Sequence, residues 1–133
     1  MIVLDANVWL TALTDQSEIG QRCRAAMAAD KDYLVPCHGP IEVLRALGKL
    51  ELAGALTAEQ ANHLSEVVCG TALQQVMVDP DVLRFVWFAH HNISAYDAPY
   101  VAIALRYGVP LLTRDKRLAR AAAMHGVAIR SGG

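Results

Sequence analysis

Three aspartates in this 133-residue chain stand where a carboxylate can do more than solvate a surface. Asp5 follows the apolar run Ile2-Val3-Leu4, and Asp115 follows Leu111-Leu112-Thr113-Arg114, so two strands would carry both acids to one sheet edge. Ligands of open α/β sheets bind beyond the carboxyl ends of the strands, at this kind of edge. Either acid equally suits the cap of the helix that follows it, as does Asn7, because Asp and Asn favour that position. Asp97 is harder to explain as a cap. On a helix from Ala95 to Tyr107 it shares a face with Val101, Ala104 and Leu105, while Arg106 points the other way. A carboxylate on an apolar stripe faces a desolvation cost on the order of several kcal/mol unless it is paired, hydrogen-bonded, neutralised or bound to metal. Its place in the first turn, with Ser94 three residues earlier as in a capping box, softens that cost. Glu42 falls beside Arg45 and Lys49 rather than among Val43, Leu44, Leu47 and Leu50, so spacing alone describes a solvated side chain. The stretch from Arg106 to Arg130 has the opposite sign, with six basic residues against the single acid Asp115, and could meet an anion.

Short apolar runs bounded by turn or polar residues predict buried parallel strands at Ile2–Leu4, Tyr33–Val35, Gln75–Val78, Pro110–Leu112 and Val127–Ile129. Helical patterns lie between them. Glu18–Ala29 and Ile41–Leu52 fit helices, and Thr57-Ala-Glu-Gln60 is a capping box before Ala61, Leu64, Val67 and Val68. Asp79-Pro80 turns into a helix containing Phe85, Val86, Trp87 and Phe88; Ser94 opens one that Gly108 can end; Asp115 or Lys116 opens another that Gly126 can close. Strands alternating with helices imply a sheet covered on both faces, hence a three-layer α/β/α fold with a central, mainly parallel sheet of four to five strands.

The length suits one domain, residues 1–133, and no linker, repeat or low-complexity tract divides it. With 54% apolar and 19% charged residues the chain is no candidate for disorder. The mean hydropathy of +0.27 owes much to alanine, and no charge-free run exceeds 12 residues, so a membrane span is not expected. The first basic residue is Arg22, which leaves no secretory signal pattern and predicts a cytoplasmic protein. Cys23, Cys37 and Cys69 show neither a disulfide framework nor CxxC spacing and are expected to be small buried residues. A formal net charge of −1 denies the whole-molecule basic footprint of many nucleic-acid binders.

IVLDANVWL at the start, PIEVLRALGKL, SAYDAPYVAIALRYGVPLLTRD and the closing Val127 run occur in the order seen in PIN-domain nucleases, and the resemblance covers essentially the whole chain. In size the chain resembles the VapC-type ribonuclease toxins of type II toxin-antitoxin pairs. These carry an acid after the first strand, a Glu on a central helix, an Asp in a D-x-x-Y-V-A-x-A-like helix and a T-x-D after the next strand. The pattern maps onto Asp5, Glu42, Asp97 and Asp115, with Asn7 and Thr113 as supporting polar residues. The resemblance thus overrides the solvated reading of Glu42 and implies an intact site.

Carboxylates that converge repel one another by on the order of 4 kcal/mol per pair at ~4 Å and an effective dielectric of ~20. Hard oxygen donors suit Mg²⁺ or Mn²⁺, whereas His38, His63, His90, His91 and His125 show no zinc-like arrangement. The expectation is that Asp5, Asp97 and Asp115 are the main ligands, with Glu42 completing the shell and helping to activate a water for in-line attack on a phosphodiester. Arg114, Lys116 and Arg117 would hold RNA phosphates. The resemblance implies a Mg²⁺- or Mn²⁺-dependent endoribonuclease leaving 5′-phosphate and 3′-hydroxyl ends on tRNA, rRNA or mRNA. It also implies a cognate VapB-type antitoxin, for which Trp9, Leu10 and the Ile41–Leu52 helix are candidate docking surfaces. Val82–Phe88, apolar around most of its circumference, suggests a homodimer interface. The alternatives are a PIN-domain RNA-processing nuclease and a PIN-like protein that binds RNA without cutting it. A phosphoacceptor receiver is disfavoured because no Asp occurs between Tyr33 and Val78, and a dinucleotide binder lacks GxGxxG.

Overall fold

The computed structural model describes residues 1–132. The elements run β1 (Ile2–Leu4), α1 (Ala6–Thr14), α2 (Glu18–Ala28), β2 (Tyr33–Pro36), α3 (Gly39–Leu52), α4 (Ala58–Gly70), β3 (Gln74–Val76), α5 (Pro80–Phe88), α6 (Ala98–Tyr107), β4 (Leu111–Thr113), α7 (Lys116–Met124) and β5 (Ile129–Ser131). All five strands pair in parallel in the order β3-β2-β1-β4-β5. The chain therefore builds outward from β1 in one direction, then crosses over and builds outward in the other. The carboxyl ends of β1 and β4, paired as Leu4 with Leu112, flank the switch point where such sheets open a crevice.

Both faces of the sheet are covered, as expected for parallel strands. Ile2, Leu4, Val35 and Leu112 face α1 to α4 together with Val8, Trp9, Val43 and Leu47. Val3, Leu34 and Leu111 face α5 to α7 together with Tyr100, Val101, Ile103 and Leu118. No helix among the described residues is long and apolar enough to cross a membrane.

Several boundaries moved, and each has a local cause. Helix α6 starts at Ala98, not Ala95, with Pro99 in its first turn. Proline has no N–H to donate and is tolerated only in that first turn, so it marks the helix start. Strand β5 starts two residues late because the Val127 N–H still bonds the Ala122 carbonyl, closing α7 behind the left-handed Gly126. Pro110 precedes β4, its carbonyl accepting the Val3 N–H. β3 occupies Gln74–Val76, earlier than the expected Gln75–Val78.

Other corrections concern burial. Trp9 is 2% exposed and part of the core, so it is not a docking surface; the helix α3 does expose Ile41, Leu44 and Leu52. Of the three free cysteines only Cys23 is buried, with its Sγ donating to the Gly132 carbonyl at 2.7 Å, while Cys37 and Cys69 are exposed. Helix α5 is split rather than uniformly buried: Val82 is in the core and Phe85 and Val86 pack against it, but Leu83, Trp87 and Phe88 face outward.

Candidate active site

The last residues of β1 and β4 aim into the switch-point crevice, and their acids are linked by one hydroxyl. Thr113 Oγ1 donates to Asp5 Oδ2 at 2.7 Å and accepts the Asp115 N–H at 3.0 Å. Asp5 is 6% exposed. It caps α1 by accepting the Asn7 N–H at 3.4 Å, so Asn7 contributes its backbone to the acid while its side chain accepts from the Thr11 hydroxyl. Burial pushes the Asp5 carboxyl up to about 6, its hydrogen bonds to Thr113 and Asn7 pull it back, and the charges of Asp97 and Glu42 raise it further. The caps explain local geometry without neutralising the acid.

Glu42 belongs to the same group for a reason that helical spacing does not contain. From the first turn of α3 its Oε1 accepts the phenolic hydrogen of Tyr100 on α6 at 2.8 Å and lies 3.4 Å from His38 Nε2. Neither Arg45 nor Lys49 pairs with it. Burial raises its carboxyl, and Asp97 adds to the rise. Tyr100, completely buried, is the positioning group that sequence reasoning missed; its place three residues after Asp97 in the D-x-x-Y pattern was the available signal. Gly39 makes room for it, since a Cβ there would stand 3.2 Å from the Tyr100 hydroxyl. His38 is held by its Nε2–H donating to the Tyr96 carbonyl at 2.9 Å.

Asp97 occupies the cap position of α6, yet its carboxylate makes no capping hydrogen bond. Ser94 Oγ accepts the Asp97 N–H at 3.2 Å, which is half a capping box displaced outside the helix. Of the three residues expected on its stripe, Val101 and Ala104 are buried but Leu105 is exposed. The carboxylate is thus left free at the crevice, electrostatically coupled to Asp5 and Glu42.

Asp115 is positioned differently. Its Oδ1 accepts the N–H groups of Arg117 at 2.9 Å and Leu118 at 3.1 Å, capping α7. With Asp97 it lines a cavity of about 320 Å³ that also includes His90, His91, Asn92 and Arg117. The two histidines lie in the turn after α5, and their ring centroids are 4.0 Å apart. Lys116 is exposed beside this cavity's rim, whereas Arg114 turns toward α1, donating to Thr11 Oγ1 at 3.3 Å.

The donor set is all carboxylate oxygen, and among the described residues Asp5, Asp97 and Asp115 form no ion pair. No three His, Cys, Asp or Glu side chains among those residues are gathered into a ready-made cage. An ion that keeps several waters and takes only a few protein oxygens, as Mg²⁺ does, fits such a set.

The PIN domain family model matches residues 2–124. The chain belongs to the PIN-domain family. Its similarity extends to the VapC group, with 35% identity over 124 residues to Ribonuclease VapC3 of Mycobacterium tuberculosis, covering 90% of this chain and 86% of that protein. Among solved structures, FitAcB from Neisseria gonorrhoeae superposes with a TM-score of 0.77 at 21% identity, covering 99% and 98% of the two chains. A toxin-antitoxin complex from Klebsiella pneumoniae contains a chain that superposes at 0.72, with 13% identity and 100% and 98% coverage. At these identities the structural matches speak for the fold alone.

Proposed function

We propose that this PIN domain, acting as one unit over residues 1–133, is a Mg²⁺- or Mn²⁺-dependent endoribonuclease and the toxin of a type II toxin-antitoxin pair. The observation that carries the proposal is the Asp5 carboxylate, raised first by its burial and further by Asp97 and Glu42 and paired with no cation among the described residues, at the switch point of a parallel sheet. Structural carboxylates in a fold of this kind are normally spent on caps or ion pairs; these retain lone pairs facing a crevice.

Asp5, Asp97 and Glu42, with Asp115 reached directly or through water, are the groups that would hold the divalent ion. Bound there, it would supply Lewis-acid polarisation of a phosphoryl oxygen and a more acidic water. Glu42 keeps Oε2 available after Tyr100 engages Oε1, and its raised basicity suits it to take a proton from the attacking water. Thr113 orients Asp5 and, through the Asp115 backbone, the start of α7. Arg117, which lines the cavity with Asp97 and Asp115, and the exposed Lys116 beside it in the chain would hold phosphates flanking the cut. Arg114 would join them only by leaving Thr11.

The resemblance to VapC toxins and the toxin-antitoxin complex among the structural matches support a VapB-type antitoxin as partner. Its landing site on this chain would be the outward face of α3, with Ile41 and Leu44 exposed close to Glu42 in the chain and Leu52 exposed at the far end of the helix. A homodimer would use the outer flank where Phe88, 74% exposed and in ring contact with His125, adjoins Met124. Phe88→Glu is the variant to sediment, because Phe85 packs against the core. A cytoplasmic location follows from a substrate found there.

The test is cleavage of total RNA by purified, antitoxin-free protein with Mg²⁺ or Mn²⁺, with EDTA and Asp97→Asn controls and cut ends mapped by sequencing. Discrete cuts that vanish in both controls are expected. Folded, metal-binding protein that leaves tRNA and rRNA intact would turn the reading to RNA binding without hydrolysis.

A further inference from the structure

The cavity at Asp97 and Asp115 is bordered by rings that the proposed chemistry does not use. Trp87, at the end of α5, is 71% exposed, in contrast to the only other tryptophan, Trp9, at 2%. The His90 ring lies against the indole with centroids 4.1 Å apart and planes only 6° from parallel. On to it packs His91, 4.0 Å away and tilted by 36°. His90 is fixed in that pose by its Nδ1–H, which donates to the Trp87 carbonyl. The result is a preformed ladder of flat rings with exposed members, running from the outer surface of α5 to the cavity wall.

The wall that continues the ladder carries polar groups, with Asn92, Asp97, Asp115 and Arg117 lining the cavity beside the apolar Ile93 and Leu118. Its volume of about 320 Å³ falls at the small end of the ~300–1,000 Å³ typical of small-ligand pockets. An apolar protein surface would match neither the carboxylates nor the guanidinium. A nucleotide matches each part: its base has two π faces for the rings, its edge has donors and acceptors for the Asn92 amide, and its phosphate has the charge for Arg117.

We propose that the Trp87–His90–His91 ladder is a base-stacking subsite that takes one unpaired nucleobase of the RNA beside the scissile phosphate. This rests on the ribonuclease reading for the nature of the strand, and it adds a positioning surface that none of the four acids supplies. Stacking on aromatic rings is tolerant of base identity, so the ladder selects for an unpaired, splayed nucleotide more than for a sequence. Trp87 and Phe88 are successive residues, about 100° apart around the helix, so the ladder and the Phe88–Met124 flank can serve different partners.

The test uses Asp97→Asn protein, in which cleavage is expected to be suppressed, and two 12-nucleotide probes, oligo(A) and an abasic ribose-phosphate chain of equal charge. Quenching of tryptophan emission that is present in this protein and lost when Trp87→Ala is added reports Trp87. Oligo(A) should quench it and bind more tightly than the abasic chain. With affinity read in every variant from the anisotropy of fluorescein-labelled probes, adding Trp87→Ala should weaken oligo(A) binding by about 5- to 150-fold, the range for loss of one base stack. Abasic binding should stay unchanged, and Trp87→Phe should restore most of the difference. Equal affinity for both probes, or no effect of Trp87→Ala, overturns the subsite. A Trp87→Ala protein whose dimerisation is lost in sedimentation also overturns it, because a second copy then covers the indole. Total-RNA cleavage by the unmodified chain separates the two readings: cutting without a stacking effect removes the ladder alone, whereas stacking without cutting leaves a single-strand binding surface and removes the nuclease.

Discussion

Asp5 and Asp115 end neighbouring strands and cap the helices that follow, yet they sit in different electrostatic worlds. Asp5 is buried, bonded to a threonine from another strand and burdened by two further carboxylates. Asp115 is partly exposed and spends one oxygen on two N–H groups of its own helix, beside Lys116 and Arg117. Identical residue types in identical local motifs thus differ first because packing buries Asp5 and leaves Asp115 partly exposed, and then because the charges of Asp97 and Glu42 act on the buried one. The crevice has an acidic side built by tertiary contact and a cationic rim built by local sequence.

The largest expected effect breaks the acidic side. Asp97→Asn and Asp5→Asn should each lower RNA cleavage by on the order of 10³-fold in single-turnover assays, in line with removal of a major electrostatic element of a site. Asp115→Asn should cost less, since Asp115 is partly exposed and lies beside the cations Lys116 and Arg117 rather than buried as Asp5 is. Equal losses at all three would dissolve the distinction.

A stability measurement sharpens it. The folded carboxyl of Asp5 titrates near 6 against an ordinary value of 3.8, so the folded chain binds more protons between those values. Stability then falls as pH rises through that window, and the penalty is complete above about 6. In EDTA at pH 8, Asp5→Asn should therefore be more stable than the parent by up to ~3 kcal/mol, a gain that disappears as the pH approaches 4. Denaturant midpoints at the two pH values decide this. Added Mg²⁺ should stabilise the parent and not the variant.

Smaller effects separate the props from the acids. Thr113→Val leaves the buried Asp5 oxygen without its donor and should cost ~1–3 kcal/mol in urea unfolding. Tyr100→Phe frees Glu42 Oε1, and it should reduce kcat more than it changes KM and shift the acid limb of the pH profile. On the cationic rim, charge reversal of Lys116 and Arg117 should raise KM several-fold and flatten its salt dependence with kcat nearly intact. A salt slope identical to the parent's would remove these side chains from phosphate binding.

Much of this was legible without coordinates. Runs such as Ile2-Val3-Leu4 are apolar because both faces of a parallel strand are covered, so the strands and the two edge acids could be read directly. The helix capped by Thr57 formed as its capping box specifies. Pro99 also held readable information: it marks the true start of α6 and puts Asp97 at the cap, a position that periodicity from Ala95 obscured.

What local pattern could not supply is the company each side chain keeps. Glu42 has the helical spacing of a solvated residue, and only the packing of α3 beside α6 gives it Tyr100 and a raised carboxyl. Trp9 and Trp87 are the same residue in apolar stretches, but α1 lies under the sheet and the outer flank of α5 does not. His90 and His91 gained their stacked pose from a turn that no periodicity describes. The sequence by itself determined the order of elements and the sheet edge, because backbone propensity and burial patterning act over a few residues. Tertiary structure alone decided which acids share a field, since electrostatic coupling and desolvation depend on distance through space rather than along the chain.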